Sequence, residues 1–427
     1  MKRLSVLLLT LLILLTSCGE LHYVETEAPE TTESPEAPAE GWTPADLSNI
    51  DGIDTVFSIY KSMGNCPEFK IYGEYVYIWL RNTALYRFSV VTGEISSVCT
   101  DPLCIGEDCP LGKSSKNWLV HESFVYYIRE VSGFEQDPET GKREYGTHHF
   151  IHRYDMKNQK DECLYEVPDD RSRYFFYNIL DDGYLYYTRS QYVETADKKA
   201  YYEKYVCRTI PEEIGKTEEI IYKLEVSENG YSNLLEVTED YYFLVTGAGE
   251  SNLVTRISRK DGSTDLLTFP YYYVNTGRIG DYCYYRSCQG EPVREEVVTG
   301  MFGEVETDSN GDPVLFPLYR MYYTKRNLLT GEEVILGEDP GRESNYPLYL
   351  NEITNNYLYL DFEDGLWRCD HDGNKIKLVR TKEQSEENPL PMVINQLIYG
   401  NWIFESDAET FVVYDMESGK YFTFELE

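Results

Sequence analysis

The sequence predicts an all-β protein built as a β-propeller, and three observations predict it. Tyrosine accounts for 40 of the 427 residues. Short segments of alternating aromatic and aliphatic residues recur along the chain, and turns that contain glycine follow many of them. Aromatic residues favour the pleated, half-buried surface of a strand, and almost no 3.6-residue helical periodicity competes with this interpretation.

The repeating unit is predicted to contain four short strands. Its second strand carries the alternating aromatics, and seven copies are found at residues 73–77, 122–127, 182–187, 239–243, 280–285, 355–359 and 400–404. A short apolar strand precedes each copy, and a third strand, a hairpin turn such as Thr92-Gly93 and a closing strand follow most copies. Four antiparallel strands in each repeat are typical of propeller blades.

Seven four-stranded blades are therefore predicted within residues 47–427. Six blades are the alternative, because the unit at 190–225 is irregular and could be one insertion-rich blade or a displaced hairpin. Residues 55–60 could add a strand near the point where the ring closes. The tyrosines are interpreted as packing residues, since propeller sheets are buried on both faces.

Residues 1–17 have the composition of an export signal. Met1-Lys2-Arg3 gives a positive start, residues 6–15 are almost all apolar, and the tetrapeptide Leu15-Thr16-Ser17-Cys18 follows. The apolar run is short for a membrane span and precedes small residues, as in a cleaved signal peptide. The tetrapeptide resembles the bacterial lipobox, in which the cysteine is acylated. Cys18 is therefore the predicted lipid attachment site, which would hold the protein on the extracytoplasmic face of a bacterial cell membrane.

Residues 18–46 are predicted to form an extended acidic tether. They are rich in glutamate and proline and contain neither lysine nor arginine. Such a segment cannot bury enough apolar surface to fold, and its charges repel one another. The whole chain has a formal net charge of -35, which excludes nucleic acid as a natural partner and argues against docking on anionic lipid. The acyl chains on Cys18 would then be the only membrane attachment.

The chain resembles a group of uncharacterised bacterial lipoproteins that carry TolB-like or DUF5050-like β-propeller repeats. The resemblance rests on the lipobox, the acidic tether, the repeated Tyr-x-Tyr hairpins and the C-x4-C-x4-C run of Cys99, Cys104 and Cys109. It covers nearly the whole mature chain and implies export by an anaerobic Gram-positive bacterium. In the resembling proteins a histidine usually stands two residues after the middle cysteine, where this chain has Gly106. A metal site shared with those proteins would therefore lack one ligand here.

Loop lengths predict which face of the propeller carries function. Loops that join strands one to two and three to four emerge on one face and are uniformly tight. The other face receives every large insertion, at residues 99–116, 132–147, 191–204, 289–317 and 381–391. Long loops on a rigid scaffold are a common location of binding sites. We therefore expect this face and the central funnel beneath it to contact a ligand; the alternative is that the insertions are merely tolerated.

Cys99, Cys104 and Cys109 are weak candidates for a metal site. Thiolates can hold zinc, but a structural zinc site usually has four ligands and only three lie in this run. Cys66 could approach as a fourth. A disulfide with one thiol left over, or a set of buried free thiols, are the other interpretations of these cysteines.

No catalytic residue and no cofactor is predicted. His148, His149 and His152 are interpreted as surface or loop-edge histidines, because the acidic general base of the H-E-x-x-H arrangement is missing. The sequence has no G-x-S-x-G elbow, and no carboxylate pair can be assigned as acid and base without geometry.

These observations favour a non-enzymatic function. The leading hypothesis is a lipoprotein of the cell envelope whose propeller presents a binding face to an extracellular protein, peptide or glycan. One alternative is a glycoside hydrolase or polysaccharide lyase with acidic residues in the funnel. Another is a scaffold or sensor subunit of an envelope complex. Paired carboxylates at the funnel would favour the glycosidase, whereas exposed apolar residues on the long-loop face would favour protein binding.

Overall fold

The computed structural model confirms the all-β prediction. It describes residues 42–49, 55–56, 68–79, 84–101, 109–112, 117–136, 143–167, 172–194, 200–224, 231–248, 251–269, 277–298, 305–307, 310–345, 348–350, 353–390, 395–407 and 410–425. The helical elements among these residues are α1 (Lys382–Glu386) and two 3-10 helices, Leu47–Asn49 and Pro211–Glu213. No helix in the described part of the chain is long and apolar enough to cross a membrane.

Blades 1 to 4 each contain four antiparallel strands that follow one another along the chain. Blade 1 consists of β2 (Glu68–Tyr72), β3 (Tyr75–Trp79), β4 (Leu85–Ser89) and β5 (Ile95–Ser97), and blade 2 of β6 (Trp118–His121), β7 (Phe124–Gln136), β8 (Arg143–Asp155) and β9 (Lys160–Glu166). Blade 3 consists of β10 (Arg173–Ile179), β11 (Leu185–Glu194), β12 (Ala200–Thr209) and β13 (Glu219–Leu224), and blade 4 of β14 (Tyr231–Val237), β15 (Tyr241–Ala248), β16 (Ser251–Ser258) and β17 (Thr264–Thr268).

Blades 5 to 7 follow the same order with one irregularity. Blade 5 consists of β18 (Gly277–Ile279), β19 (Tyr282–Val297), β20 (Leu315–Asn327) and β21 (Glu333–Ser344), blade 6 of β23 (Leu358–Phe362), β24 (Gly365–Cys369) and β25 (Lys375–Thr381), and blade 7 of β26 (Asn395–Tyr399), β27 (Trp402–Ser406), β28 (Thr410–Asp415) and β29 (Lys420–Glu425). Among the described residues before β23, Ile353 forms a bridge with Leu358, and the preceding strand β22 (Leu348–Tyr349) pairs with β19 of blade 5.

The prediction of seven blades is confirmed, and the six-blade alternative is wrong. The irregular third unit forms a complete sheet, β10 to β13. What distinguishes this unit is its connection between strands three and four, which contains the 3-10 helix Pro211–Glu213 where most other blades have a tight hairpin. Pro211 begins that helix, because its ring sets the backbone angle of a first helical turn.

Seven apolar clusters, one between each pair of consecutive blades, form the core. At the junction of blades 1 and 2, the Trp79 and Tyr127 rings lie 5.6 Å apart. At the junction of blades 7 and 1, the Phe88 and Phe404 rings lie 5.7 Å apart. Because this last cluster joins the end of the series to its beginning, the sheets form a closed ring. Most of the repeated tyrosines pack in these clusters, as predicted, whereas Tyr282 is 38% exposed.

The described residues before blade 1, 42–49 and 55–56, include some that contact the folded body. Trp42 is 6% exposed, stacks on Trp402 at 5.2 Å, and donates a hydrogen bond from Nε1 to the Val90 carbonyl at 3.1 Å. The first strands of blades 1 to 4 approach one another in order, which places them at the centre of the ring. The short strand β1 (Thr55–Val56) pairs with β18, the first strand of blade 5. The predicted extra strand therefore exists, but it joins the far side of the ring and not the closure point.

A cation over an aromatic ring recurs in six of the seven blades. The cation comes from the third strand and the ring from the start of the second strand, with 4.4 to 5.1 Å between the charged group and the ring centre. The pairs are Arg87–Tyr75, Arg153–Phe124, Arg208–Tyr184, Arg256–Tyr241, Lys325–Tyr282 and Arg368–Tyr357. In blade 7 Val413 occupies the cation position, and Trp42 covers the Trp402 ring instead. Each pair contributes about 0.5 to 1 kcal/mol.

Candidate binding face

The tight-turn face, formed by the connections between strands one and two and between strands three and four, holds neighbouring blades together. Side chains at these connections form polar bridges across five consecutive junctions, from blade 2 to blade 7. The bridging pairs are Arg153–Glu212, Arg259–Asp182, Arg256–Asp281, Lys325–Asp372 and Arg368–Asn401. Four of these five donors come from third strands, and Arg259 comes from the hairpin that follows one.

These bridges account for much of the charge on the tight-turn face. Arg256, for example, also reaches Asp265 on its own outer strand at 2.7 Å, and its side chain is 12% exposed. Burial lowers the pKa of the Arg256 guanidinium, but the hydrogen bonds to Asp265 and Asp281 outweigh burial and the net shift is upward. The cation is therefore held in its charged form, and its role is to join blades 4 and 5.

The opposite face, here called the ribbon face, carries three long two-stranded extensions. In blade 2, β7 and β8 pair along their whole length, from Phe124–Asp155 to Gln136–Arg143, whereas β6 pairs only with the first four residues of β7. In blade 3, β11 and β12 likewise continue past the ends of β10 and β13. In blade 5, β19 and β20 extend to the pair Val297–Leu315. Within the predicted insertions at 132–147, 191–204 and 289–317, the described strand residues thus form ribbons that prolong strands two and three.

The end of the blade-5 ribbon has one packed side and one exposed side. On the packed side, Leu318 is 6% exposed and Arg294 forms an ion pair with Glu343 at 2.6 Å. On the other side, Val297 and its direct partner Leu315 are 43% and 50% exposed. Side chains two residues apart on a strand share a side, so Glu295 lies next to this apolar pair.

The predicted loop at 381–391 is also ordered over most of its length. Thr381 begins the helix α1 through a capping box with Gln384, in which each residue's side chain bonds the other's backbone. Tyr421 donates a hydrogen bond from its hydroxyl to the Gln384 carbonyl at 2.8 Å, so blade 7 holds the helix. This connection is a structural element between blades 6 and 7.

A buried charged network lies at the same junction. Glu405, 2% exposed in its side chain, accepts hydrogen bonds from Arg380 Nη1 at 2.9 Å, Asn388 Nδ2 at 2.6 Å and Gln396 Nε2 at 3.0 Å. Burial lowers the pKa of Arg380, but the charges of Glu405 and Tyr421 and the hydrogen bonds to them together outweigh burial, and the net shift of the pKa is upward. Sequence reasoning missed this network, because its members are distant in the chain and follow no motif.

The cysteine run lies partly in the core. Cys109 is 5% exposed and Cys99 is half-buried, and both contact the apolar cluster between blades 1 and 2. Cys104 and Cys66 lie outside the described residues, as does Cys18. Within the described ranges, no group of three or more histidine, cysteine, aspartate or glutamate side chains could hold a metal ion. The described part of the chain therefore gives the metal interpretation no support.

The interpretation of the histidine run as surface residues was wrong for His149 and His152, whereas His148 is partly exposed. His149 and His152 are 4% and 9% exposed. His152 Nδ1 lies 2.8 Å from one oxygen of Asp161, and the other oxygen accepts a hydrogen bond from the Tyr127 hydroxyl at 2.9 Å. Burial, followed by the Asp161 charge, raises the pKa of Tyr127 well above its ordinary value. This network joins three strands of blade 2, and blade 1 covers it, which local alternation could not reveal.

The first strands line the centre of the ring, and their described side chains include a charged pair between blades 4 and 5. Arg278 Nη2 lies 3.9 Å from Glu236 Oε2, and the guanidinium lies 4.8 Å from the centre of the Phe243 ring. Among the side chains that the structure describes on the first strands, Glu236 is the one carboxylate. A glycosidase needs two carboxyl groups about 5 to 9.5 Å apart. The described part of the centre does not contain that arrangement.

Similarity to known proteins is weak. No protein-family model matches the chain, and no curated protein sequence matches it. Among solved structures, the dihydro-heme d1 dehydrogenase NirN in complex with DHE is 12% identical, with 92% of this chain and 76% of that chain covered and a TM-score of 0.38. Dipeptidyl peptidase 4 of Porphyromonas gingivalis is 10% identical, with coverages of 86% and 68% and a TM-score of 0.32.

An oligogalacturonate lyase in complex with manganese is 10% identical, with 63% of each chain covered and a TM-score of 0.29. The chain thus spans less than two thirds of the lyase. Since all three TM-scores lie below 0.5, these similarities carry no functional argument.

Proposed function

We propose that this protein is a lipoprotein of the bacterial cell envelope whose ribbon face binds an extracellular protein or peptide. The observation that carries the proposal is the asymmetry of the ring. One face is occupied by bridges between blades, whereas the other projects three ribbons beyond the sheets. A rigid scaffold with projecting elements on one face is a common arrangement of binding proteins.

The exposed side chains favour a polypeptide over a glycan. Large aliphatic residues are exposed on two of the ribbons, with Val131 at 46%, Val297 at 43% and Leu315 at 50%. Exposed apolar patches rimmed by polar residues mark protein interaction sites. Most described aromatic rings, by contrast, lie in the clusters between blades or beneath cations, where they are not available as platforms for sugar rings.

The place where the tether joins the body supports an outward orientation of this face. Trp42, which lies near the end of the predicted tether, packs against the turn at Gly93, where a Cβ added to the glycine would clash with the Trp42 ring. That turn belongs to the tight-turn face. If Cys18 carries the lipid, the chain that leads to it leaves the folded body near the tight-turn face, opposite the ribbons.

Photo-crosslinking in cells that produce the protein tests this proposal. A photoreactive amino acid is placed at Val131, Tyr202 or Val297 on the ribbons and, as controls, at the exposed Lys260 and Glu417 in turns of the opposite face. We expect protein adducts from the ribbon positions and none from the controls. Adducts at the control positions alone, or at equal frequency on both faces, would contradict the proposal.

A further inference from the structure

The exposed side of the blade-5 ribbon combines apolar side chains with a carboxylate, and this combination indicates the kind of partner it could bind. The blade-5 strip consists of Val293, Glu295, Val297 and Leu315. Val297 and Leu315 form a cross-strand pair, and Glu295 precedes Val297 by two residues on the same side. Val293, 41% exposed, stands two residues before Glu295, at the end of the bulge between Gln289 and Arg294. The strip is therefore an apolar row with a carboxylate within it, two strands wide.

Side chains on the opposite side of the same ribbon already have partners within the protein. Leu318 is buried, and Arg294 forms ion pairs with Glu296 and, at 2.6 Å, with Glu343. Glu295, on the strip, forms no ion pair with any residue that the structure describes. The two sides differ in their contacts: the opposite side carries the buried Leu318 and the ion pairs of Arg294, whereas Val297 and Leu315 on the strip are exposed.

The charge around the blade-5 strip indicates which class of partner it could bind. Glu291 and Glu306 are exposed beside the strip, and the whole chain has a formal net charge of -35. A second copy of this chain would bring the same charge to the contact and be repelled, and an anionic lipid or nucleic acid would be repelled in the same way. A cationic polypeptide with apolar side chains could pack on the valine and leucine side chains of the strip and also attract the acidic residues around it.

We propose that the blade-5 strip binds a basic segment of a partner polypeptide in which lysine or arginine alternates with apolar residues. This inference rests on the proposed function and names the class of partner. The strip is two strands wide, which suits an extended segment that lays its apolar side chains on Val297 and Leu315. A basic side chain of the segment then reaches Glu295.

Surface plasmon resonance on the immobilised full-length chain tests the inference with synthetic peptides. The probe is an eight-residue peptide of alternating lysine and valine, and the comparisons are peptides of alternating glutamate and valine and of alternating lysine and serine. We expect the lysine–valine peptide to bind more tightly than either comparison by about tenfold or more, which is about 1.4 kcal/mol. Its affinity should fall as salt is raised, because the contact includes screened surface charge.

Matched substitutions locate the site. The double variant Val297→Thr with Leu315→Thr keeps residues that favour strands at both positions and should weaken binding of the lysine–valine peptide by about tenfold. Glu295→Gln should reduce the salt dependence of that binding. Ile376→Thr, at a residue 55% exposed on the outer strand of blade 6, is the control and should change nothing.

Equal binding of the three peptides, or equal losses from the Ile376 and the strip variants, would overturn the inference. The two proposals fail separately. Ribbon crosslinks without a preference for the lysine–valine peptide leave the proposed function intact, whereas a peptide preference without ribbon crosslinks overturns the proposed function alone.

Discussion

Trp42 closes the ring, and its removal should destabilise the whole propeller. It stacks on Trp402 of blade 7 and meets Phe88 of blade 1 and Phe422 of blade 7 edge-on, at 5.2 to 5.3 Å between ring centres. A large aromatic side chain buries roughly 200 Å² or more. At about 25 cal/mol per Å², that burial contributes up to about 5 to 6 kcal/mol, an upper bound because the unfolded chain is partly compact.

Trp42→Ala should therefore lower the free energy of unfolding by about 3 to 5 kcal/mol, the usual range for a buried tryptophan. Trp42→Phe keeps part of the stacking but loses the hydrogen bond to Val90 and should cost about 1 to 2 kcal/mol. Urea unfolding followed by far-ultraviolet circular dichroism measures both values. Leu47→Ala, at a residue 43% exposed in the same segment, is the matched control and should change the free energy by less than about 0.5 kcal/mol.

A double-mutant cycle with Trp402→Ala separates ring closure from general damage. If the two rings stabilise the protein through contact with each other, the sum of the losses in unfolding free energy from the two single substitutions should exceed the loss from the double substitution by about 1 kcal/mol. Equal stability of Trp42→Ala and Leu47→Ala, or fully additive losses in the cycle, would refute the role assigned to Trp42.

Three further predictions concern charge and anchoring. Arg380→Met leaves the Glu405 carboxylate buried without its cation and should cost about 3 to 5 kcal/mol in urea unfolding, whereas Arg380→Met with Glu405→Leu should recover most of the loss; an equal loss in both would contradict this account. Hydrogen bonds within their own turns hold the pKa of Asp261 at about 2 and that of Asp370 below its usual value of 3.8. Between pH 4 and pH 2 the unfolded chain binds more protons than the folded chain, so the stability that these two groups contribute is complete above pH 4 and is lost as the pH falls toward 2. The double variant Asp261→Asn with Asp370→Asn should therefore show a smaller change in the free energy of unfolding per pH unit in this range. Cys18→Ala should release the protein from the membrane fraction, and unchanged retention would refute lipid attachment at that residue.

The blade count was predictable because it depends on local information. Each second strand carries an aromatic alternation, and most third strands lead into a turn whose first residue caps it, as Asp155 and Asn327 do through their side-chain oxygens. These features repeat in the chain at the spacing of one blade. The number of repeats is therefore readable from the sequence, and the sheets pack radially since each has two apolar faces.

The ribbons were predicted only as insertions. The length of this blade in the sequence shows that residues 289–317 are an insertion relative to the other blades. It does not show that the inserted strands pair, because the register of β19 with β20 includes a bulge between Gln289 and Arg294. Which side of the ribbon is exposed also depends on distant contacts, such as the ion pair between Arg294 and Glu343 on the opposite side. Neither the bulge nor this contact has a pattern that a single sequence displays.

The sequence by itself determined the repeat, the acidic charge and the face that receives the insertions, because each of these is a property of neighbouring residues or of their sum. Only the tertiary structure decided which distant side chains meet. Trp42 finds Trp402, and Arg380 finds Glu405, across gaps in the chain that no periodicity connects. The physical reason is that ring closure and buried ion pairs depend on how complete sheets fit together, and that fit is a property of the assembled ring.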